Sequence, residues 1–215
     1  ITTGANDIYF NDFIQPTPTL FPFNYFETKT ITYKSRDNKD IPIVIIHKKG
    51  IEFNGNNPTL LRAYGGFGSV SSPNYDTGLL HFLEKGGVYA FAQVRGGGEK
   101  GKNWHKEGKG LKKINSINDF VDAAEFLIRE KYTNPNKLAI NGGSHGGLVV
   151  GAAMTQRPDL FKVVISEMGR LDMATLDKYT SGIHHFDEYG NPNNKEEFQS
   201  LISYSPYHTI KEDIN

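Results

Sequence analysis

The sequence predicts an α/β fold with a mostly parallel sheet and flanking helices. Three observations carry that expectation. The first is a set of short apolar runs that do not alternate with polar residues: Thr59 to Ala63, Val88 to Val94, Leu138 to Asn141 and Val163 to Ser166. Strands covered on both faces read in this way. The second is helical spacing between those runs. Leu79, Leu80, Phe82 and Leu83 follow it, as do Ile117, Phe120, Val121, Ala124, Leu127 and Ile128. The third is punctuation by glycine, at Gly65-Gly66, Gly86-Gly87, Gly96 to Gly98 and Gly142-Gly143. Strands alternating with helices and ending in such turns are the pattern of a parallel sheet with crossover helices.

Taken along the chain, residues 1–24 are aromatic and broken by Pro16, Pro18 and Pro22. Proline lacks an N–H and restricts its neighbour. Tyr9 to Ile14 has room for one short strand. The segment is too small to fold alone and reads as the tail of a preceding β-rich domain or as a linker. Thr28 to Lys34 and Ile41 to His47 are β-prone, and the polar cluster Asp37-Asn38-Lys39-Asp40 between them predicts a hairpin. Pro42 suits a strand beginning or a sheet edge. Gly86-Gly87 stops the first helix, and Asn115 or Ser116 is expected to cap the second. The small residues Gly151, Ala152 and Ala153 predict a third helix, Leu148 to Gln156, that packs close to the sheet.

Composition excludes several functions. The 24 basic and 24 acidic residues cancel, which argues against a dedicated nucleic-acid binder. Without cysteine there is no disulfide framework, thiolate metal site or cysteine nucleophile. No apolar run approaches the ~20 residues that span a bilayer. A soluble chain is expected, with the cytoplasm and periplasm equally open. The start Ile1-Thr2-Thr3-Gly4 suggests a piece of something longer.

The chemistry concentrates in Asn141-Gly142-Gly143-Ser144-His145-Gly146-Gly147, which contains G-x-S-x-G between a strand and a helix. A serine held on so sharp a turn needs small residues two before and two after it, and both are glycine. Ser144 is therefore the candidate nucleophile. Acyl transfer also needs donors for an oxyanion. The N–H of His145 is one candidate. Tyr64, in the Gly-rich loop Tyr64 to Gly68 after an earlier strand, is the other; equally, Tyr64 can pack in the core of a tight turn.

Three further patterns point elsewhere. Gly96-x-Gly98-x-x-Gly101 matches a dinucleotide fingerprint, but Lys102 to Lys106 offers no apolar helix face. Asn103 also replaces the hydroxyl that a phosphate-binding loop uses for Mg²⁺. The expected role is a glycine loop at the rim of the site. His184, His185, Asp187 and Glu188 follow no zinc spacing. Lys109, Lys112 and Lys113 read as a solvated basic loop. No metal and no cofactor are expected.

GGSHGG followed by QRPDLF, DM, KYT, EYG and YSPYH resembles the catalytic domain of the prolyl oligopeptidase family. HKKG, YGGFG, VRGGGEKG, WHKEG and AAEFLI continue the match upstream, in the same order. The resemblance runs from about Thr28 to His208. It implies an α/β-hydrolase fold, truncated on its C-terminal side. Residues 25–215 would be the N-terminal portion of the catalytic domain and residues 1–24 the tail of a β-propeller. It implies a serine peptidase that cuts short peptides after proline through an acyl-enzyme. By the same resemblance Ser144 is the nucleophile, His145 N–H and Tyr64 are the oxyanion donors, and Phe67, Arg170, His185 and Tyr189 line the proline pocket. His185 stands where the family has a tryptophan and Arg170 where it has a small apolar residue, so a more polar pocket is expected.

The family's triad aspartate and histidine fall beyond Asn215. Asp159, Asp172, His184, His185 and His208 match non-triad positions, and the side chain of His145 is expected to point away from Ser144. The chain is thus expected to be a fragment, one part of a nicked enzyme, or an inactive relative. A related aminopeptidase or esterase is the alternative activity. The implied partners are a peptide substrate and the rest of the same enzyme, not a nucleic acid or a membrane.

Overall fold

The computed structural model describes residues 23–73, 76–178 and 181–211. The expected strand at Tyr9 to Ile14 and the prolines of the first segment lie outside the described residues. One six-stranded sheet runs through the molecule in the order β1-β2-β4-β3-β5-β6. Its strands are β1 Phe26–Lys34, β2 Asp40–Lys48, β3 Thr59–Ala63, β4 Val88–Ala92, β5 Leu138–Gly143 and β6 Val163–Glu167. β1 and β2 form the predicted hairpin, and β2 pairs antiparallel with β4. β4, β3, β5 and β6 are mutually parallel.

Pro42 sits inside β2 but costs no ladder bond. Its carbonyl accepts from Gln93 N–H, so its own nitrogen faces the side where β4 has already ended at Ala92. That ending also shortens the strand expected to reach Val94. β4 is buried at all five positions, as a central parallel strand should be.

The helices are α1 Thr77–Glu84, α2 Lys102–Lys106, α3 Ile114–Arg129, α4 His145–Gln156, α5 Phe186–Tyr189, α6 Lys195–Tyr204 and α7 Pro206–Thr209. α1 stops as predicted. Gly86 takes φ 87°, its N–H bonds Leu83 O, and Gly87 N–H bonds Phe82 O. That pair of bonds is a Schellman closure, and it needs the left-handed residue that glycine supplies. α3 buries Phe120, Val121, Ala124 and Leu127 against the sheet, and Ile117 in a second cluster with Leu148 of α4 and Leu201 of α6.

The expected cap of α3 is a correction. The helix begins at Ile114, directly after a 3-10 turn, so Asn115 and Ser116 lie within its first turn. Their side chains donate instead to Glu107 O at 2.9 Å and Gly108 O at 3.1 Å. α4 is buried around nearly its whole circumference, with Leu171 and Pro206 seated over Gly151. A methyl group at Gly151 would meet Leu171 at 2.8 Å and Pro206 at 3.2 Å, so this glycine makes room for those two side chains and not, as expected, for the sheet. β6 differs from the buried strand expected. Val163 and Ile165 are 46% and 44% exposed, because among the described residues nothing pairs with its outer edge.

Candidate active site

Ser144 sits between β5 and α4 with φ 54° and ψ −116°. An L-residue reaches that region only under strain. The strain is held by Ser144 N–H bonding Glu167 O at 2.8 Å and by Gly147 N–H bonding Ser144 O at 3.0 Å. The glycines around it are not equivalent. A Cβ at Gly142 would fall 2.2 Å from Gly146 O, one at Gly146 2.6 Å from Ala63 O, and one at Gly147 2.7 Å from Gly169 Cα. All three neighbours are backbone and cannot turn aside. A Cβ at Gly143 meets nothing closer than 3.9 Å.

Gly142→Ala is therefore expected to lower stability by about 1–3 kcal/mol or more. Gly143→Ala is expected to be neutral or to stabilise by about 0.5 kcal/mol. Thermal melts of the two variants check this; equal shifts would overturn it.

β3 lies beside β5, so the loop after β3 reaches the same end of the sheet. Tyr64, half-buried, opens this loop. A Cβ at Gly66 would lie 2.4 Å from the His145 ring, so the loop rests directly on that imidazole. The Gly96 to Gly98 turn supports the loop from behind. Gly96 O accepts from Gly68 N–H at 3.1 Å, and Gly98 N–H bonds Ser69 O at 2.9 Å. That turn thus serves the rim of the site as expected.

An open cleft of about 560 Å³ gathers Tyr64, Phe67, Ser144, His145, Arg170, His185 and Tyr189, the seven residues that the resemblance assigned to the nucleophile, the oxyanion donors and the pocket. Phe67 takes φ 57° and projects between the others. Its ring meets His185 at 5.3 Å, Tyr189 at 5.7 Å and His145 at 6.0 Å, each edge to face. Arg170 is half-buried and donates to Ser181 Oγ at 3.4 Å. Burial, and then the Arg170 and His184 charges, push His185 below the ordinary imidazole value.

His145 is 1% exposed and stacked on Tyr189, with Nδ1 2.9 Å from Tyr189 OH. Burial, reinforced by the positive charge of Lys113, holds its pKa well below the ordinary value. The ring is neutral and turned toward Tyr189. Burial likewise pushes the Tyr189 phenol up, so it stays protonated.

Among the described residues no histidine or carboxylate hydrogen-bonds Ser144 Oγ. One other cluster has triad composition. Ser205 Oγ lies 2.9 Å from His208 Nδ1, and Asp172 Oδ1 lies 3.8 Å from the same nitrogen. A relay needs the two ring nitrogens to face different partners. Ser205 is also fully buried and bonded to Met173 N–H and Leu171 O. This cluster is structural.

Lys113 corrects the reading of a solvated basic loop. Its side chain is fully buried, and Nζ donates to Glu188 Oε1 at 2.5 Å. Lys109 and Lys112 do lie at the surface, paired with Asp187 and Glu107. Glu188 and His105 were missed as partners because 75 and 83 residues separate the bonded pairs. Met168, Gly169, Leu171 and Asp172 also line the cleft. Met168 has φ 53° and is 90% exposed, which no local sequence signal marks. Among the described residues there is no group of three or more His, Cys, Asp or Glu side chains able to hold a metal ion. No helix there is long and apolar enough to cross a membrane.

Comparison with known proteins agrees with this geometry. The model of the "Prolyl oligopeptidase family" matches residues 73–214. The prolyl endopeptidase of Elizabethkingia meningoseptica is 42% identical over 212 residues, covering 98% of this chain and 29% of that enzyme. The prolyl endopeptidase of Dictyostelium discoideum is 41% identical over 206 residues, covering 94% of this chain and 27% of that enzyme. The structure of a post-proline cleaving enzyme from Rickettsia typhi superposes with a TM-score of 0.86 at 38% identity, covering 89% of this chain and 28% of that one. The chain thus spans less than a third of the length of these relatives. A strained serine on a strand-to-helix turn, on an α/β-hydrolase sheet and in a sequence matched over residues 73–214, leads to one assignment: this chain belongs to the prolyl oligopeptidase family.

Proposed function

We propose that the protein carrying this chain is a serine peptidase that cleaves short peptides, with proline preferred before the cut bond. The observation that supports this most is Ser144 on its strained turn, opening onto a cleft walled by aromatic rings. In this reading Ser144 Oγ attacks the carbonyl and forms an acyl-enzyme. The N–H of His145, at the first position of α4, has no partner within the helix and is free to donate to the oxyanion. Tyr64 OH supplies the second donor. Phe67, Tyr189 and His185 offer ring faces and edges against which a pyrrolidine can pack.

Arg170 and the smaller imidazole of His185 make the pocket more polar than an all-apolar slot. Strict preference for proline is therefore expected to relax. Serine attack needs a general base. The reading requires an Asp–His pair from outside the described residues, and a peptide substrate as partner. Residues 1–24 are read as the approach from a propeller domain. A related aminopeptidase or esterase remains the alternative.

The test is a fluorogenic peptide library varied at the residue before the cut. Proline is expected to lead, with alanine following within about a hundredfold, since packing differences of this size are worth about 1–3 kcal/mol. Equal turnover of all residues, or cleavage only at a free N-terminus, would overturn the proposal. Strict rejection of everything but proline would overturn the polar-pocket part alone.

A further inference from the structure

Behind the cleft wall lies a buried ionic cluster that the acyl-transfer chemistry does not use. Lys113, at the entry to α3, donates from Nζ to Glu188 Oε1 at 2.5 Å. Glu188 Oε2 lies 2.7 Å from His105 Nε2, on α2. The Lys113 and Glu188 side chains are 0% and 4% exposed, so both charges have left water. Such a pair stabilises little compared with apolar residues of the same shape. What it provides is direction, since each bond fixes an angle that apolar contact would leave free.

The direction is set at the cleft. Glu188 belongs to α5, a single turn too short to hold itself. The next residue, Tyr189, carries its hydroxyl to His145 Nδ1 and its ring to Phe67 and His185. Lys113 Nζ also sits 5.5 Å from the centre of the Tyr189 ring. On the other side, the His105 ring backs the loop of Phe67: a Cβ at Gly68 would fall 3.3 Å from His105 Nδ1. The cluster thus ties together the two walls that carry the aromatic rings.

We infer that Lys113 and His105 clamp Glu188 and thereby position Tyr189 and His185 for substrate, making all three positioning residues for the cleft. The inference rests on the peptidase reading.

The groups facing Lys113 are Glu188 and Tyr189 of α5, His105 of α2 behind Glu188, His145 of α4, and Lys109, while Tyr204 of α6 faces Glu188 and Tyr189. Lys109 is itself paired with Asp187. Burial, against the pull of Glu188, lowers the Lys113 ammonium to about 8. The clamp is therefore charged below that pH and loses its cation above it.

The test is steady-state kinetics of a proline-containing fluorogenic peptide from pH 6.5 to 9.5, in the protein that carries this chain. Glu188→Gln is expected to raise KM about tenfold to a hundredfold while kcat stays within about threefold. In the unsubstituted protein KM is expected to climb above about pH 8, and that limb is expected to vanish in the double variant Lys113→Met/Glu188→Gln, which leaves no charge unpaired. Unchanged KM in either folded variant, a kcat loss as large as the KM rise, or a pH limb that survives in the double variant would overturn the clamp. Hydrogen exchange gives a reading free of activity. Protection of residues 183–190 is expected to fall in the double variant while α3 and α4 keep theirs; unchanged protection there overturns the inference. Failure of the unsubstituted protein to cut any peptide would sink the peptidase reading, and hydrogen exchange would then decide the clamp alone.

Discussion

Replacing Ser144 with alanine is expected to lower kcat on a proline peptide by roughly 10⁴- to 10⁶-fold, the range seen when a hydrolase loses its nucleophile. Covalent labelling by a fluorophosphonate should disappear with it. The fold should survive, because Ser144 lends its neighbours only backbone groups, in bonds to Glu167, Gly147 and Leu148 that alanine can also make. Ser144→Gly sharpens the prediction. At φ 54° and ψ −116° glycine alone is unstrained, so this variant should lose activity equally yet gain about 1 kcal/mol. For a chain of this size that is a rise in Tm of about 2–4 °C. Turnover retained in Ser144→Ala would remove the serine mechanism; a lower Tm in Ser144→Gly would show that the turn is not under strain. Labelling of these 215 residues alone would mean that they already supply a base to Ser144.

The second large effect is expected on stability, at Arg95. This residue is 1% exposed, just past the end of β4, and its guanidinium makes four hydrogen bonds to two carboxylates. Nε and Nη2 donate to Asp119 at 2.8 and 2.6 Å, and Nη1 and Nη2 to Asp37 at 2.6 and 3.0 Å. Asp119 also accepts the Arg95 N–H, and its carbonyl accepts the Tyr33 hydroxyl at 2.6 Å. The network joins the β1–β2 turn, the end of β4 and the middle of α3. Arg95→Met leaves the fully buried Asp119 carboxylate uncompensated, which costs about 3–5 kcal/mol. The expected fall in Tm is roughly 6–20 °C. Arg95→Met/Asp119→Leu, with no buried charge left, should recover most of it.

Activity should fall with the single variant as well, because Arg95 leads into the turn whose Gly96 and Gly98 hold the loop of Phe67. A single variant as stable as the parent would mean that burial alone, and not the guanidinium, fastens these elements. The directions agree with the chemistry: burial raises the Asp119 carboxyl, while the Arg95 guanidinium lowers half-exposed Asp37. Asp37 therefore adds stability that is present above its unfolded value and lost as pH falls through its lowered folded one.

The sequence by itself determined what depends on near neighbours. The hairpin, α1 with its glycine stop, α3 and the elbow at Ser144 were all legible, because turn chemistry and periodicity act over a few residues. Even the need for Gly142 and Gly146 followed from the turn they flank, although the irrelevance of a methyl at Gly143 did not. The cap of α3 was misjudged because the preceding 3-10 turn drew the start of the helix forward to Ile114. The cleft residues after β6 were legible only through resemblance, since nothing local distinguishes Arg170 or His185 from any surface loop.

Only the tertiary structure decided the charges. A lysine in a basic run looks solvated until Glu188, 75 residues away, is folded against it. Arg95 and Asp37, 58 residues apart, are likewise joined only by the sheet. The side chain of His145 becomes a neutral ring only when Tyr64, Phe67 and Tyr189 close around it. Burial is a property of the packed chain, and the energy of a charge depends on what replaces its water. That replacement is made by residues distant in sequence, so the positions that chemistry needs can be read locally while their protonation and support cannot.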